Sequence, residues 1–122
     1  MKKILLVDDS VEVRTTLAKL LGTIRGIQIV GQASDSLTFI EQFEKSRPNI
    51  VILDINLPVG NGIEILSMIK NISPITVVIM FTNYSNDAFK ESTAKLGADY
   101  FLDKSTDVDK LLEILTNLSQ QN

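Results

Sequence analysis

The chain has no cysteine and no histidine among its 122 residues. Without cysteine there are no disulfides, no zinc–thiolate sites and no thiol catalysis. Without histidine there is no Ser–His triad, no imidazole metal ligand and no phosphohistidine within the chain itself. Any metal must be held by oxygen, which favours a hard cation such as Mg²⁺. Basic clusters are missing too: the twelve Lys and Arg are scattered and the net charge is −3, so nothing suggests a nucleic-acid surface. No apolar run approaches the length of a membrane span, and Met1-Lys2-Lys3-Ile4 leads into a strand rather than a signal peptide. A cytoplasmic protein with no membrane partner and no direct nucleic-acid partner is expected. Linkers, short repeats and low-complexity segments are also absent, so one domain over 1–122 is expected, with no output domain attached.

What is present is a regular alternation. Ile4-Leu5-Leu6-Val7 reads as a buried strand that stops at Asp8-Asp9-Ser10. Asp9 or Ser10 can cap the helix that follows, with Glu12 spaced from Asp9 as in a capping box. Val13, Leu17, Leu20 or Leu21, and Ile24 recur at helical spacing. Ile27–Gly31 is a second strand, and Ser34-Asp35-Ser36 starts a helix marked by Leu37, Ile40 and Phe43. Asn49–Leu53 is a third strand, buried on both faces, which runs into Asp54. Pro58–Gly62 is a loop, and Ile65, Ile69 and Ile72 form the buried stripe of the next helix, ended by Pro74. Ile75–Phe81 is a fourth strand, stopping at Thr82-Asn83. Ala88, Phe89 and Leu96 outline a weaker helix ended by Gly97, and Tyr100–Leu102 is a short fifth strand before Asp103-Lys104-Ser105. Thr106 and Asp109 frame a last helix with Val108, Leu111, Leu112, Leu115 and Leu118.

Strand–helix repeated five times implies right-handed crossovers and a doubly wound α/β domain with a parallel sheet. In such a sheet every strand ends on one edge, where ligands bind. Asp8, Asp9, Asp54, Thr82 and Lys104 therefore converge although they lie far apart in sequence. Each alone has a bland explanation: a helix cap, an isolated hydroxyl, a solvated charge. Together they form one chemistry. Three adjacent carboxylates repel one another unless a cation intervenes. One Mg²⁺ and one lysine balance their charge, and a phosphoryl group on Asp54 would give both cations, and the Thr82 hydroxyl, oxygens to pair with.

These residues resemble the receiver domain of two-component response regulators over the whole chain. Asp8-Asp9, Asp54 with Pro58 and Gly62 after it, Thr82, Gly97-Ala98 and Lys104 carry the likeness. Gly31-Gln32-Ala33-Ser34-Asp35 also resembles receivers that precede helix-turn-helix domains. The resemblance implies a flavodoxin-like (βα)5 fold with strand order 2-1-3-4-5 and a phosphorylation-dependent signalling switch in a phosphorelay. Asp54 would accept a phosphoryl group from a sensor histidine kinase, a histidine phosphotransfer protein or a small phosphodonor. Asp9 would bind Mg²⁺ directly, Asp8 through water, and Asp54 and the backbone carbonyl of Asn56 would complete the set. Lys104 and Thr82 would hold the phosphoryl group. Thr82 and Phe101 would form the switch that alters the surface of the fourth helix, fifth strand and fifth helix for a downstream protein. Such a domain assists its own phosphorylation and dephosphorylation but is not an independent enzyme. Transient homodimers through the last helices are compatible with it.

Three positions depart from the family pattern. Ser105 stands where proline usually follows the lysine, Asn83 replaces a small residue after the threonine, and Phe101 stands for a frequent tyrosine, with Tyr100 and Leu102 facing the other way. Asn56 and Tyr84, two residues after Asp54 and Thr82, are expected to tune the lifetime of the phosphate. Competing readings fit less well. A pseudo-receiver would not need the complete acid, hydroxyl and ammonium set. An aspartyl phosphohydrolase wants a second Asp where Asn56 stands, and in an FMN carrier Asp8-Asp9 would repel the cofactor's phosphate.

Overall fold

Apolar strands and capped helices alternate along the whole chain, and the computed structural model, which describes residues 1–121, arranges them as one doubly wound sheet. The elements are β1 (Lys2–Val7), α1 (Val11–Leu21), β2 (Ile27–Ala33), α2 (Ser36–Ser46), β3 (Ile50–Leu53), α3 (Gly62–Ile72), β4 (Val77–Thr82), α4 (Asp87–Lys95), β5 (Tyr100–Asp103) and α5 (Val108–Ser119). All pairings are parallel, in the order β2-β1-β3-β4-β5. The expected fold and strand order are therefore observed.

Alternation along each strand divides the apolar residues between two cores. Leu5, Val7, Val51, Leu53, Val78 and Met80 pack with Phe39, Phe43, Ile65, Leu66 and Ile69 on the α2–α3 side. Ile4, Leu6, Ile50, Ile52, Ile79 and Phe81 pack with Leu17, Leu21, Leu111, Leu115 and Leu118 on the α1–α5 side. Burying each such Leu, Ile or Phe contributes about 1.5–3 kcal/mol over leaving it exposed. Phe101 lies against the first core and Leu102 within the second, as strand alternation requires.

Local details differ from the sequence expectations in several places. Ser10, not Asp9, caps α1, accepting from the Val13 N–H, so Asp9 and Glu12 form no capping box. The capping box lies instead at α2, between Asp35 and Thr38. Ile24 falls beyond the end of α1. Phe39 and Phe43 are the buried face of α2, with ring centroids 5.3 Å apart, while Leu37 and Ile40 face outward. Helix α3 buries Ile65, Leu66 and Ile69, and Ile72 is 58% exposed. Strand β4 begins at Val77, and Ile75 is 92% exposed, because Pro74 and Thr76 still belong to the turn after α3. Leu96 and Ala88 do not pack inward; α4 buries only Thr93 completely. Asp107 occupies the cap position of α5, and its side chain accepts from the Asp103 N–H rather than from its own helix.

One feature fixes the loop after β3. Gly62 opens α3 with its N–H on the Ile55 carbonyl at 2.8 Å. A Cβ there would lie 2.0 Å from the Asp54 carbonyl oxygen, so only glycine permits this approach.

Candidate functional site

β1 and β3 are neighbours in register, Val7 opposite Leu53, so the residues that follow them emerge side by side. Asp8 and Asp54 are buried and Asp9 is exposed. Asp8, Asp9 and Asp54 each offer a carboxylate oxygen, all within 4.8 Å of one another. Lys104 reaches across from the end of β5, its Nζ 2.5 Å from Asp8 Oδ2 and 2.9 Å from Asp54 Oδ2. The remaining Asp8 oxygen accepts from the Ser10 N–H at 2.9 Å, and Asp54 Oδ1 accepts from the Asn56 N–H at 3.4 Å. Thr82, fully buried at the end of β4, accepts from the Tyr84 N–H at 3.1 Å. The expected constellation is thus brought together at the carboxyl edge of the sheet.

Burial pushes the Asp8 carboxyl above its ordinary range, partly countered by the hydrogen bonds from Lys104 and Ser10; the neighbouring Asp54 adds to the rise. Burial alone would lower Lys104, but its bonds to Asp8 and Asp54 outweigh that, and its net shift is upward. The asymmetry has a simple cause. The lysine faces two anions, whereas Asp8 faces one cation and another anion. A single ammonium does not satisfy the cluster, and an all-oxygen donor set of this kind suits a hard divalent cation. The residues therefore fit Mg²⁺.

The three departures have structural answers. Every peptide bond among the described residues is trans, including Lys104–Ser105. Ser105 donates both its N–H, at 2.7 Å, and its hydroxyl, at 2.5 Å, to Asp103 Oδ1. Asn83 is exposed, and Phe101 is partly buried against the α2–α3 core. Tyr84 is 47% exposed and its ring meets Phe89 edge-on at 6.3 Å.

Two further participants are not visible in motif spacing. Arg14, one turn into α1, donates from Nη1 to the Asp8 carbonyl at 2.5 Å and from Nε to Gln32 Oε1 at 3.0 Å, bracing the loop that carries the acids. Asp103 accepts from Ser85 as well as Ser105, and these bonds hold its carboxyl down at about 2. The Asp103-x-Ser105 spacing is a turn signal that points to the second contact; nothing local points to the first. The larger hollows lie elsewhere. One of about 400 Å³, at the opposite edge, is lined by Lys2, Arg47, Asn49 and Ile75 and gathers no comparable set of acids.

A doubly wound domain whose carboxyl edge gathers three acids, a buried hydroxyl and an ammonium defines a recognisable class. The chain belongs to the response regulator receiver domain family, whose family model matches residues 4–116. It is 29% identical over 119 residues to the chemotaxis protein CheY of Thermotoga maritima, covering 98% of each chain. It is 35% identical over 114 residues to the nitrate/nitrite response regulator NarL of Escherichia coli, covering 92% of this chain and 52% of that one. The receiver domain of Thermotoga maritima CheB superposes with a TM-score of 0.85 at 28% identity, covering 99% of this chain and 95% of that one. The chain spans about half the length, or less, of other curated relatives it matches, NarL among them. No helix among the described residues is long and apolar enough to cross a membrane.

Proposed function

We propose that the chain is a phosphorylation-dependent switch in which Asp54 accepts a phosphoryl group from a histidine kinase or histidine phosphotransfer protein. The observation that carries this is the Asp54 carboxylate itself, 5% exposed and paired with Lys104 beside two further acids. A buried carboxylate needs such partners, and these are the partners that a transferred phosphoryl group also needs. Asp8, Asp9, Asp54 and the Asn56 carbonyl would hold Mg²⁺, which when bound supplies charge neutralisation to the phosphoryl oxygens. Lys104 shifts its ammonium onto a phosphoryl oxygen, and the Thr82 hydroxyl donates to another. The carboxylate attacks phosphorus in line as the donor's P–N bond breaks and its imidazole departs on the opposite side, leaving an acyl phosphate on Asp54; catalysis consists of positioning and electrostatic stabilisation. A hollow of about 270 Å³ lined by Val13, Thr16, Leu17, Leu20 and Val108 adjoins Lys104 and gives a phosphodonor partner apolar footing. The signal leaves through a population shift in the surface of α4, β5 and α5, biased by the new contacts of Thr82 and Phe101.

Incubation with Mg²⁺ and acetyl phosphate, followed by intact mass, tests the reading. Wild type gains one phosphoryl group and loses the gain in excess chelator, while Asp54→Ala gains none. An unlabelled wild type with active donor would favour a pseudo-receiver, and equal labelling of the variant would overturn Asp54 as the acceptor.

A further inference from the structure

Lys104 and Thr82 must act on the same phosphoryl group, yet they sit on different loops, one after β5 and one after β4. The side chain that touches both loops is Asp103. Its Oδ2 accepts from the Ser85 hydroxyl, in the loop after Thr82, across 18 positions of sequence. Its Oδ1 accepts from the Ser105 N–H and hydroxyl, in the loop that carries Lys104. The backbone is stitched at the same point, where the Lys104 N–H donates to the Thr82 carbonyl at 3.1 Å and the Asp103 N–H to Asp107 Oδ2 at 2.8 Å. A proline at position 105 has no N–H and no hydroxyl, so it would remove both bonds to Oδ1.

We propose that Asp103 is a positioning residue that couples the two loops, so that the Thr82 hydroxyl and the Lys104 ammonium meet the phosphoryl group as one unit; this rests on Asp54 being the phosphoacceptor. The Thr82 hydroxyl oxygen now accepts from the Tyr84 N–H. Turning that hydroxyl toward a phosphoryl group strains or exchanges this bond and displaces the segment from Asn83 to Ser85. Through Ser85 the displacement pulls on Asp103, which precedes Lys104 directly. A carboxylate that merely finished its own turn would need only Ser105. The bond to Ser85 is what gives it reach into the other loop, and the depressed Asp103 carboxyl reflects donors from both loops, Ser105 and Ser85.

The test uses Ser85→Ala, Ser85→Thr and Asp103→Asn in the full chain. In phosphate-free protein, Ser85→Ala and Asp103→Asn raise amide exchange at Asn83–Asn86 and at Lys104–Ser105 together, by roughly three- to tenfold, the factor carried by one hydrogen bond. With Mg²⁺ and acetyl phosphate, Ser85→Ala lowers the limiting rate of Asp54 labelling by a similar factor while the half-saturating donor concentration stays put. Ser85→Thr, which keeps the hydroxyl, restores both readouts. Acceleration confined to one loop, or wild-type labelling kinetics in Ser85→Ala, overturns the coupling. If wild type itself stays unlabelled, the phosphoacceptor reading falls instead, and the exchange measurement still decides whether the loops are tied.

Discussion

Helices α3 and α4 cover the same face of the sheet, but they are held in opposite ways. Helix α3 buries Gly62, Ile65, Leu66 and Ile69, and the loop before it is locked where Gly62 meets the Asp54 backbone. Helix α4 buries Thr93 and half-buries Phe89, and the loop before it leaves Asn83, Tyr84, Ser85 and Asn86 exposed. The acidic half of the site is therefore set by packing, while the half that carries Thr82 and adjoins Lys104 is set by a few polar contacts. Local opening follows buried contact, so α4 and its loop are the inexpensive parts to move.

The sharpest way to break that contrast is one substitution made on each side. Gly62→Ala drives a methyl into backbone and should cost more than about 3 kcal/mol, or prevent folding. Gly97→Ala meets only the Lys70 side chain, and at φ +101° should cost about 1–2 kcal/mol. Urea midpoints measure both. Next in size, Leu66→Ala in α3 should cost about 2–5 kcal/mol. Thr93→Ala in α4, which gives up hydroxyl bonds to the Phe89 and Lys90 carbonyls, should cost about 1 kcal/mol. Equal losses would end the distinction between the two helices.

The halves should also respond to acid with opposite sign. Asp103 has a depressed carboxyl, so its contribution to stability is present above the ordinary value of 3.8 and is lost as pH falls toward about 2. Asp8 has a raised carboxyl, so its folded form holds the proton more tightly; its contribution favours folding at low pH and fades as pH climbs past the ordinary value. In chelator, Asp103→Asn should flatten the loss of stability as pH falls from about 4 toward 2, and Asp8→Asn should flatten the loss as pH climbs above the ordinary 3.8, both read from unfolding midpoints. Asp35, also depressed, loses its contribution as pH falls below the ordinary 3.8 and is common to every variant compared. The smallest effect is expected at Ile75, where Ile75→Ser should change stability by less than about 0.5 kcal/mol because the side chain is 92% exposed.

The fold was legible because 4–7, 50–53 and 77–81 are continuous apolar runs that no surface strand would carry. The site was legible because a parallel sheet sends all its strand ends to one edge. What was not legible depends on choices between near-equivalent neighbours. In α2 both Leu37–Ile40 and Phe39–Phe43 have helical spacing, and the aromatic pair took the core because it fills more volume. Asp9 and Ser10 both can cap α1, and Ser10 does so while Asp9 joins the acid cluster. The Ser85–Asp103 bond crosses between loops, and nothing in the spacing of either residue marks it.

Gly62 has a consequence for how receivers of this sequence can diversify. A position that admits no side chain admits no gradation, so the wall behind Asp54 is closed to mutational tuning in any small step. Change in small steps is left to the positions whose side chains stand in the open around the acid cluster, among them Asn56, Asn83 and Tyr84. The backbone behind Asp54 is thereby insulated from the drift of its surroundings, which can change while that carboxylate keeps its place.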